Sequence, residues 1–171
     1  MTITAEPVGL DPHRLRELLR RQAATVTVVT APGVAGGPPA GFTATSFTSV
    51  SLRPQLVSFC LDRDSTSWPA VEQARHVAVH LLAAGQQHLA RTFATSGIDR
   101  FADPSAWTPG PYGMPLLHGV LATLVCEVQA RVPAGDHAIV LGTPIHARHR
   151  DGEPLVYHNG GYRRLDPGTD A

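Results

Sequence analysis

Two long consecutive stretches, Val120 to Val132 and His137 to Arg148, constrain this chain more than anything else in it. Both are rich in β-branched and other apolar residues, and Pro133-Ala134-Gly135-Asp136 between them is turn chemistry. Strands joined by so short a connection pair antiparallel. More strand candidates flank them. Thr25 to Thr30 is dominated by β-branched residues, Gly41 to Phe47 reads as extended chain, and Leu56 to Leu61 and His76 to Leu82 are compact apolar runs. Leu155 to Tyr157 and Tyr162 to Leu165 form a closing hairpin around Asn159-Gly160-Gly161. Helices are few and short. One runs from Pro12 to Arg21 behind an Asp11 N-cap, with a narrow stripe of Leu15, Leu18 and Leu19; the others cover Trp68 to Ala74 and Gln86 to Ala94. Asp103 to Met114, rich in Pro and Gly, reads as irregular. The pattern predicts a mainly β (α+β) fold, a β-barrel with a few peripheral helices.

Composition removes several functions. The 171 residues make one domain, and Lys+Arg and Asp+Glu both number 14, so no net charge draws the chain to nucleic acid or an anionic membrane. All of the basic residues are arginine. Without a lysine there is no Schiff-base catalysis, no pyridoxal-phosphate anchor and no P-loop. Cys60 and Cys126 lie in separate apolar runs and suggest no disulfide or Cys-x-x-Cys site. No apolar stretch reaches membrane-spanning length and Met1 to Leu10 carries no signal core, so a cytoplasmic protein is expected.

Hydroxyl groups gather in two places. Gly41 to Ser51 holds six Ser or Thr in eleven positions, and Ser65-Thr66-Ser67 follows the run ending in Cys60-Leu61. Hydroxyls and turn N–H groups can hold a phosphate without lysine, but Ser and Thr are also ordinary strand and turn residues, and the pattern alone leaves both readings open. Gly33-Val34-Ala35-Gly36-Gly37 follows a strand, yet prolines stand where a dinucleotide-binding helix would begin, so any NAD(P)H is held without a Rossmann turn. No metal site is expected among the nine histidines. His146 and His149 are three apart on a strand and face opposite ways, and His76 and His80 on a strand are separated by about 13 Å. His137 opens a strand directly after a turn, where a side chain either enters a cleft mouth or simply meets solvent. No Gly-x-Ser-x-Gly elbow is present.

In order and spacing, these segments resemble the flavin reductase domain family, the FMN-binding split barrels that serve as reductase components of two-component flavin-dependent monooxygenases. The match rests on Leu18-Leu19, Val26 to Thr30, Gly41 through Pro54, the serine cluster, Val77 to Leu82, Gln86 through Ala94, Asp99-Arg100-Phe101, Pro115-Leu116-Leu117 and Gly135-Asp136-His137. It implies one split-barrel domain over 12–165, with 1–11 and 166–171 as flexible tails. It implies FMN or FAD as the flavin, NADH or NADPH as hydride donor, and a homodimer with flavin sites near the subunit interface. Gly41, Phe42, Thr43, Ala44, Thr45 and Ser46 would line the isoalloxazine, largely by main-chain groups, with Ser49 close by. Cys60, Leu61, Ser65, Thr66 and Ser67 would run along the ribityl chain and phosphate. Arg100 and Asp136 complete the cofactor set, and His137 would stand where the nicotinamide stacks on the flavin. Three positions depart from the family: Thr45 and His80 both replace a frequent asparagine, and Arg100 replaces a lysine, keeping the charge but not its shape; if the asparagine matching His80 caps a loop by hydrogen bonding, that contact must change here.

The function implied is NAD(P)H-dependent reduction of FMN or FAD, with reduced flavin passed to a partner monooxygenase. A flavin-binding electron carrier that does not oxidise NAD(P)H, and an FMN-dependent oxidase of an organic substrate, are the competing readings. His137 speaks for the enzyme, since a passive carrier has no use for a nicotinamide site, and no substrate base is evident for the oxidase.

Overall fold

A computed structural model describes residues 9–165; 1–8 and 166–171, most of the two segments expected as tails, lie outside the described residues. Along the chain come α1 (Pro12–Leu19), β1 (Ala24–Thr25), β2 (Thr27–Ala31), β3 (Ala40–Ala44), β4 (Thr48–Leu52), β5 (Gln55–Asp62), α2 (Trp68–Gln73), β6 (His76–Leu81), α3 (Gln87–Ala94), β7 (Trp107–Pro109), β8 (Pro115–Leu117), β9 (Ala122–Ala134), β10 (His137–His149), β11 (Leu155–His158) and β12 (Gly161–Arg164).

The expected long hairpin is the spine. β9 and β10, 13 residues each, pair from Ala134↔His137 to Ala122↔His149. Its turn is tighter than the sequence suggests. Pro133 and Ala134 belong to the strand, and Gly135, at φ +65°, makes a two-residue turn with Asp136. Register shifts at Leu141/Gly142 and Pro144/His146 coil the hairpin. A Cβ on Gly142 would lie 3.1 Å from that of Cys126, and Pro144 has no N–H for a ladder.

Seven antiparallel strands assemble in the order β3-β2-β6-β9-β10-β5-β4. The sheet's two outer strands, β3 and β4, are joined by only Thr45-Ser46-Phe47, so it must curl until its edges approach. Inside the curl, Val29, Phe42, Phe59, Val79 and Val140 pack with Ala70 and Val71 of α2. Outside it, Leu89, Ala90 and Phe93 of α3 cover Val28 together with Leu117, and Met114 packs on Ala78 and Val125. β2 is therefore buried on both faces, which explains a continuous β-branched run instead of an alternating one.

Three expectations need correction. Thr25 to Thr30 is two strands, because the chain changes sheets at Val26: Thr25 pairs with Val156 of β11, and Thr27 pairs with Ala44 and Leu81. Asp103 to Met114 is not wholly irregular, since β7 pairs with β8 from Trp107↔Leu117 to Pro109↔Pro115; strands of three residues containing prolines carry no periodic signal. The helix expected to reach Arg21 ends at Leu19, where Arg21 N–H and Gln22 N–H turn back to Leu18 and Leu19 carbonyls in tighter bonds. Its start is as read: Asp11 accepts a hydrogen bond from His13 N–H at 2.7 Å, with Pro12 in the first turn. Among the described residues no helix is long and apolar enough to cross a membrane.

Candidate functional site

Where the curled sheet meets itself, side chains take over from ladder hydrogen bonds. Ser46 Oγ accepts from Cys60 N–H at 2.9 Å and lies 3.4 Å from Cys60 O, pinning the β3–β4 link to β5. Further along, Ser67 Oγ donates to Gly41 O at 3.0 Å. Arg100 Nη1 donates to that same oxygen at 2.7 Å and to Ser67 Oγ at 2.9 Å, while its Nε donates to Thr95 O at 2.9 Å. The two hydroxyl-rich segments, about 48 Å apart if the 14 positions from Ser51 to Ser65 were extended, thus run side by side along one seam.

The expected site residues divide into three groups. Phe42, Ala44 and Leu61 are buried in the barrel and offer the seam only main-chain groups. Gly41, Thr43, Ser67 and Arg100 are occupied in holding it together. Thr43 Oγ1 donates to Ala90 O at 2.7 Å, and a Cβ on Gly41 would lie 2.7 Å from Phe93 Cε1 and 3.1 Å from Phe101 Cζ. The bareness of Gly41 therefore serves packing against α3. Ser67 is fully buried with its hydroxyl engaged on both sides, and partial burial pulls the Arg100 guanidinium below its ordinary range. The third group can be reached by an incoming molecule, although Ser46 Oγ is already held by Cys60 and Ser65 Oγ accepts from Ser67 N–H at 3.3 Å: Thr45, Ser46, Ser49 and Thr66 are exposed, and Cys60 and Ser65 are half-buried. Cys126 is inert by contrast, its thiol pushed up to about 12 by burial.

The Gly135-Asp136-His137 turn is sewn to the same seam. His137 pairs with Asp62 at the end of β5, Arg63 N–H donates to Asp136 O at 3.0 Å, and Arg63 Nη2 donates to Gly135 O at 2.8 Å. The turn therefore stands beside Ser65 and Thr66. The imidazole Nδ1 lies 2.7 Å from Asp136 Oδ1, a hydrogen bond that leaves Nε2 for an outside partner. That contact, together with the charge of His137, holds the Asp136 carboxyl below the usual carboxylate range. Asp136 is thereby committed to its neighbour, and a carboxylate beside a phosphate would repel it.

One part of the site is absent from the sequence reading. A cleft of about 420 Å³ adjoins Thr45 and Ser46, walled by Arg16 and Leu19 of α1, by Arg20 just after it, and by Tyr157, Asn159 and Gly160. Asn159 N–H donates to Arg20 O at 2.9 Å, docking the β11–β12 turn on the end of α1. Asn159-Gly160 reads correctly as a turn, with φ of +51° and +77°, but nothing local says that it packs 140 residues away in sequence. Among the described residues, no three His, Cys, Asp or Glu come together as a metal site.

His80 shows what replaces the family's asparagine. Its ring is wholly buried, with Nδ1 3.0 Å from Val28 O and Nε2 accepting from Leu117 N–H at 3.2 Å. The imidazole thereby ties β6 to β2 and to β8, and desolvation lowers the pKa of this histidine to about 4.

Residues 19–166 match the flavin reductase like domain. The chain is 46% identical over 164 residues to an NADH:FMN oxidoreductase of Rhodococcus qingshengii, covering 93% of this chain and 84% of that one. It is 35% identical over 160 residues to HsaB, the reductase subunit of a flavin-dependent monooxygenase of Rhodococcus jostii, covering 93% and 80%. Among solved structures it is similar to the NADH:FAD oxidoreductase SgcE6 of Streptomyces globisporus C-1027 in complex with NAD and FAD fragments. That likeness has a TM-score of 0.87 and 38% identity, over 97% of this chain and 100% of that one.

Proposed function

The chain belongs to the flavin reductase like domain family, and from that premise we propose that it reduces FMN or FAD with NAD(P)H and yields the reduced flavin to a separate monooxygenase. The observation that carries this reading is the seam. It offers strand-edge main-chain groups and exposed hydroxyls in one line, next to a cleft within the size range of small-molecule sites. An isoalloxazine presents N–H and C=O groups along one edge, and strand-edge main chain is their natural complement. When bound, flavin supplies the hydride-accepting centre.

The residues then have distinct tasks. Main-chain groups of Gly41 to Ser46 orient the ring, while Thr45, Ser46, Ser49 and Cys60 border it. Ser65 and Thr66 hold the phosphate end by hydrogen bonds to charged oxygen, and Leu61 lends only backbone. Ser67 and Arg100 keep Gly41 and the loop after β5 in register, and so shape the edge that the ligand meets. Asp136 orients His137, whose free Nε2 would hold the nicotinamide of the hydride donor beside the flavin. Holding two reactants in that relation supplies much of the rate. The protein acts as a homodimer, a reading supported by the open leucine stripe of α1, where Leu15, Leu18 and Leu19 are all exposed.

Steady-state oxidation of NADH and of NADPH with each free flavin tests the proposal. Turnover coupled to reduction of free FMN or FAD is expected. Saturable flavin binding without oxidation of either nicotinamide would make the protein a carrier.

A further inference from the structure

Far from the seam, the outer face of the sheet carries a second concentration of polar groups. In register across β6, β9 and β10 stand His80, Thr123 and Arg148, directly paired and so on one face. Thr123 is 3% exposed, and its Oγ1 has no hydrogen-bond partner among the described residues. A buried hydroxyl without a partner is costly to the fold and uncommon. Thr123 also borders two adjoining clefts. One, of about 300 Å³, runs past His118 and Gly119 to Arg148 and Arg150. The other, of about 150 Å³, lies between Leu116, His146 and Arg148.

The lining of both is basic, with no Asp or Glu among the described residues of either wall, in a chain whose net charge is zero. Arg150 is spent locally: its Nε donates to Val120 O at 3.1 Å and its Nη2 binds Gly119 O, which fixes the loop as one wall. His118 Nδ1 lies 2.9 Å from Ser105 O, so its Nε2 is left over. Arg148 makes no hydrogen bond or ion pair among the described residues, though it borders both clefts. An arginine fork without an acid, a free imidazole nitrogen and an unpartnered hydroxyl are a donor set awaiting acceptors.

We propose that these joined clefts bind a phosphate group, free or carried on a small organic ligand, at a position separate from the flavin. His137 and Arg148 stand at opposite ends of β10, eleven residues or roughly 35 Å apart along the strand, so one nicotinamide or flavin cannot serve both. The larger cleft holds several times more than the ~30 Å³ of one water, and Leu117, Val120 and Leu121 give it an apolar side against which an organic portion can rest.

The test is calorimetric titration of the full chain with sodium phosphate and with AMP, at ionic strength held constant with chloride, without and with saturating FMN. The FMN arm separates this site from any phosphate taken up at the seam. Saturable binding that survives FMN is expected, with Kd on the order of 1 mM for phosphate. Arg148→Gln should weaken it about tenfold, the worth of one charge-assisted hydrogen bond. Thr123→Val should weaken it severalfold while leaving FMN affinity alone. Tighter binding of AMP than of phosphate would identify an organic carrier, and equal or weaker binding the free ion. Absence of saturable binding by both ligands up to about 50 mM, binding abolished by FMN, or binding unchanged in Arg148→Gln would each overturn the proposal.

Discussion

His80 and His137 are the same amino acid in opposite situations, and each makes a distinct prediction. His80 is neutral inside the protein because solvent is gone and both ring nitrogens are engaged. Unfolded, it takes up a proton near 6.5; folded, only near 4. The unfolded chain therefore binds more protons between those values, and stability present above pH 6.5 drains away as pH falls toward 4, by up to about 3 kcal/mol. Denaturant unfolding of wild type and His80→Asn across pH 4–7 should show this slope in wild type and its loss in the variant. A parallel pH dependence in both would refute it. His137, turned outward and held by Asp136, should matter little for folding. His137→Ala is expected to lower kcat/KM for the nicotinamide by roughly tenfold to a hundredfold, about 1.4 to 2.7 kcal/mol, with flavin affinity unchanged. Stopped-flow reduction of the flavin-loaded variant separates donor binding from hydride transfer, and unaltered traces would remove His137 from the site. The sequence singles out His137 by its place after a turn, but His80 could be placed only on a strand. Its partners, Val28 and Leu117, are 52 and 37 residues away.

At the scale of elements, legibility followed the length of the pattern. β9 and β10 announce themselves because thirteen residues give a period time to appear. β7 and β8 do not, being three residues each. Both hydroxyl clusters were visible, yet their chemistry divides in a way sequence could not show: Ser67 is buried in the scaffold while its neighbours Ser65 and Thr66 remain available. That division can be measured. Ser65→Ala with Thr66→Ala should weaken FMN more than riboflavin, by about 1.5–3 kcal/mol for a lost hydrogen bond to a charged group. Ser67→Ala should instead destabilise the fold, since it removes a buried hydroxyl that bonds both Gly41 O and Arg100, and weaken both flavins alike. Fluorescence titrations of the two variants against both ligands decide this, and equal losses in the double variant would remove the phosphate assignment. The cleft under Arg16, Arg20 and Asn159 had no local signal, for it exists only once β11 and β12 have folded back onto α1.

For the molecule as a whole, the sheet solves its own burial and leaves apolar surface elsewhere. Leu18 is 61% exposed on α1, and Leu52 is 78% exposed on the edge strand β4. Sedimentation is expected to give twice the chain mass of 18.2 kDa, and Leu18→Glu combined with Leu52→Glu should shift it toward a single chain. A wild-type mass of one chain at all concentrations would refute the homodimer. The barrel itself was legible from strand count and turn residues; the seam was not, because it depends on which strands end at the edges. That seam has a price in solubility. An edge strand left bare invites pairing with another chain, and proteins usually blunt such edges with charge or proline. β3 has neither, and in the proposed binding mode the ring would need to reach its backbone. Its protection is brevity: five residues, cut short by the Ser46–Cys60 clasp before a neighbouring molecule could find a register. With flavin held as proposed, each release would uncover this edge, and the clasp that shapes the seam would then also guard the empty protein against sticking to its own kind.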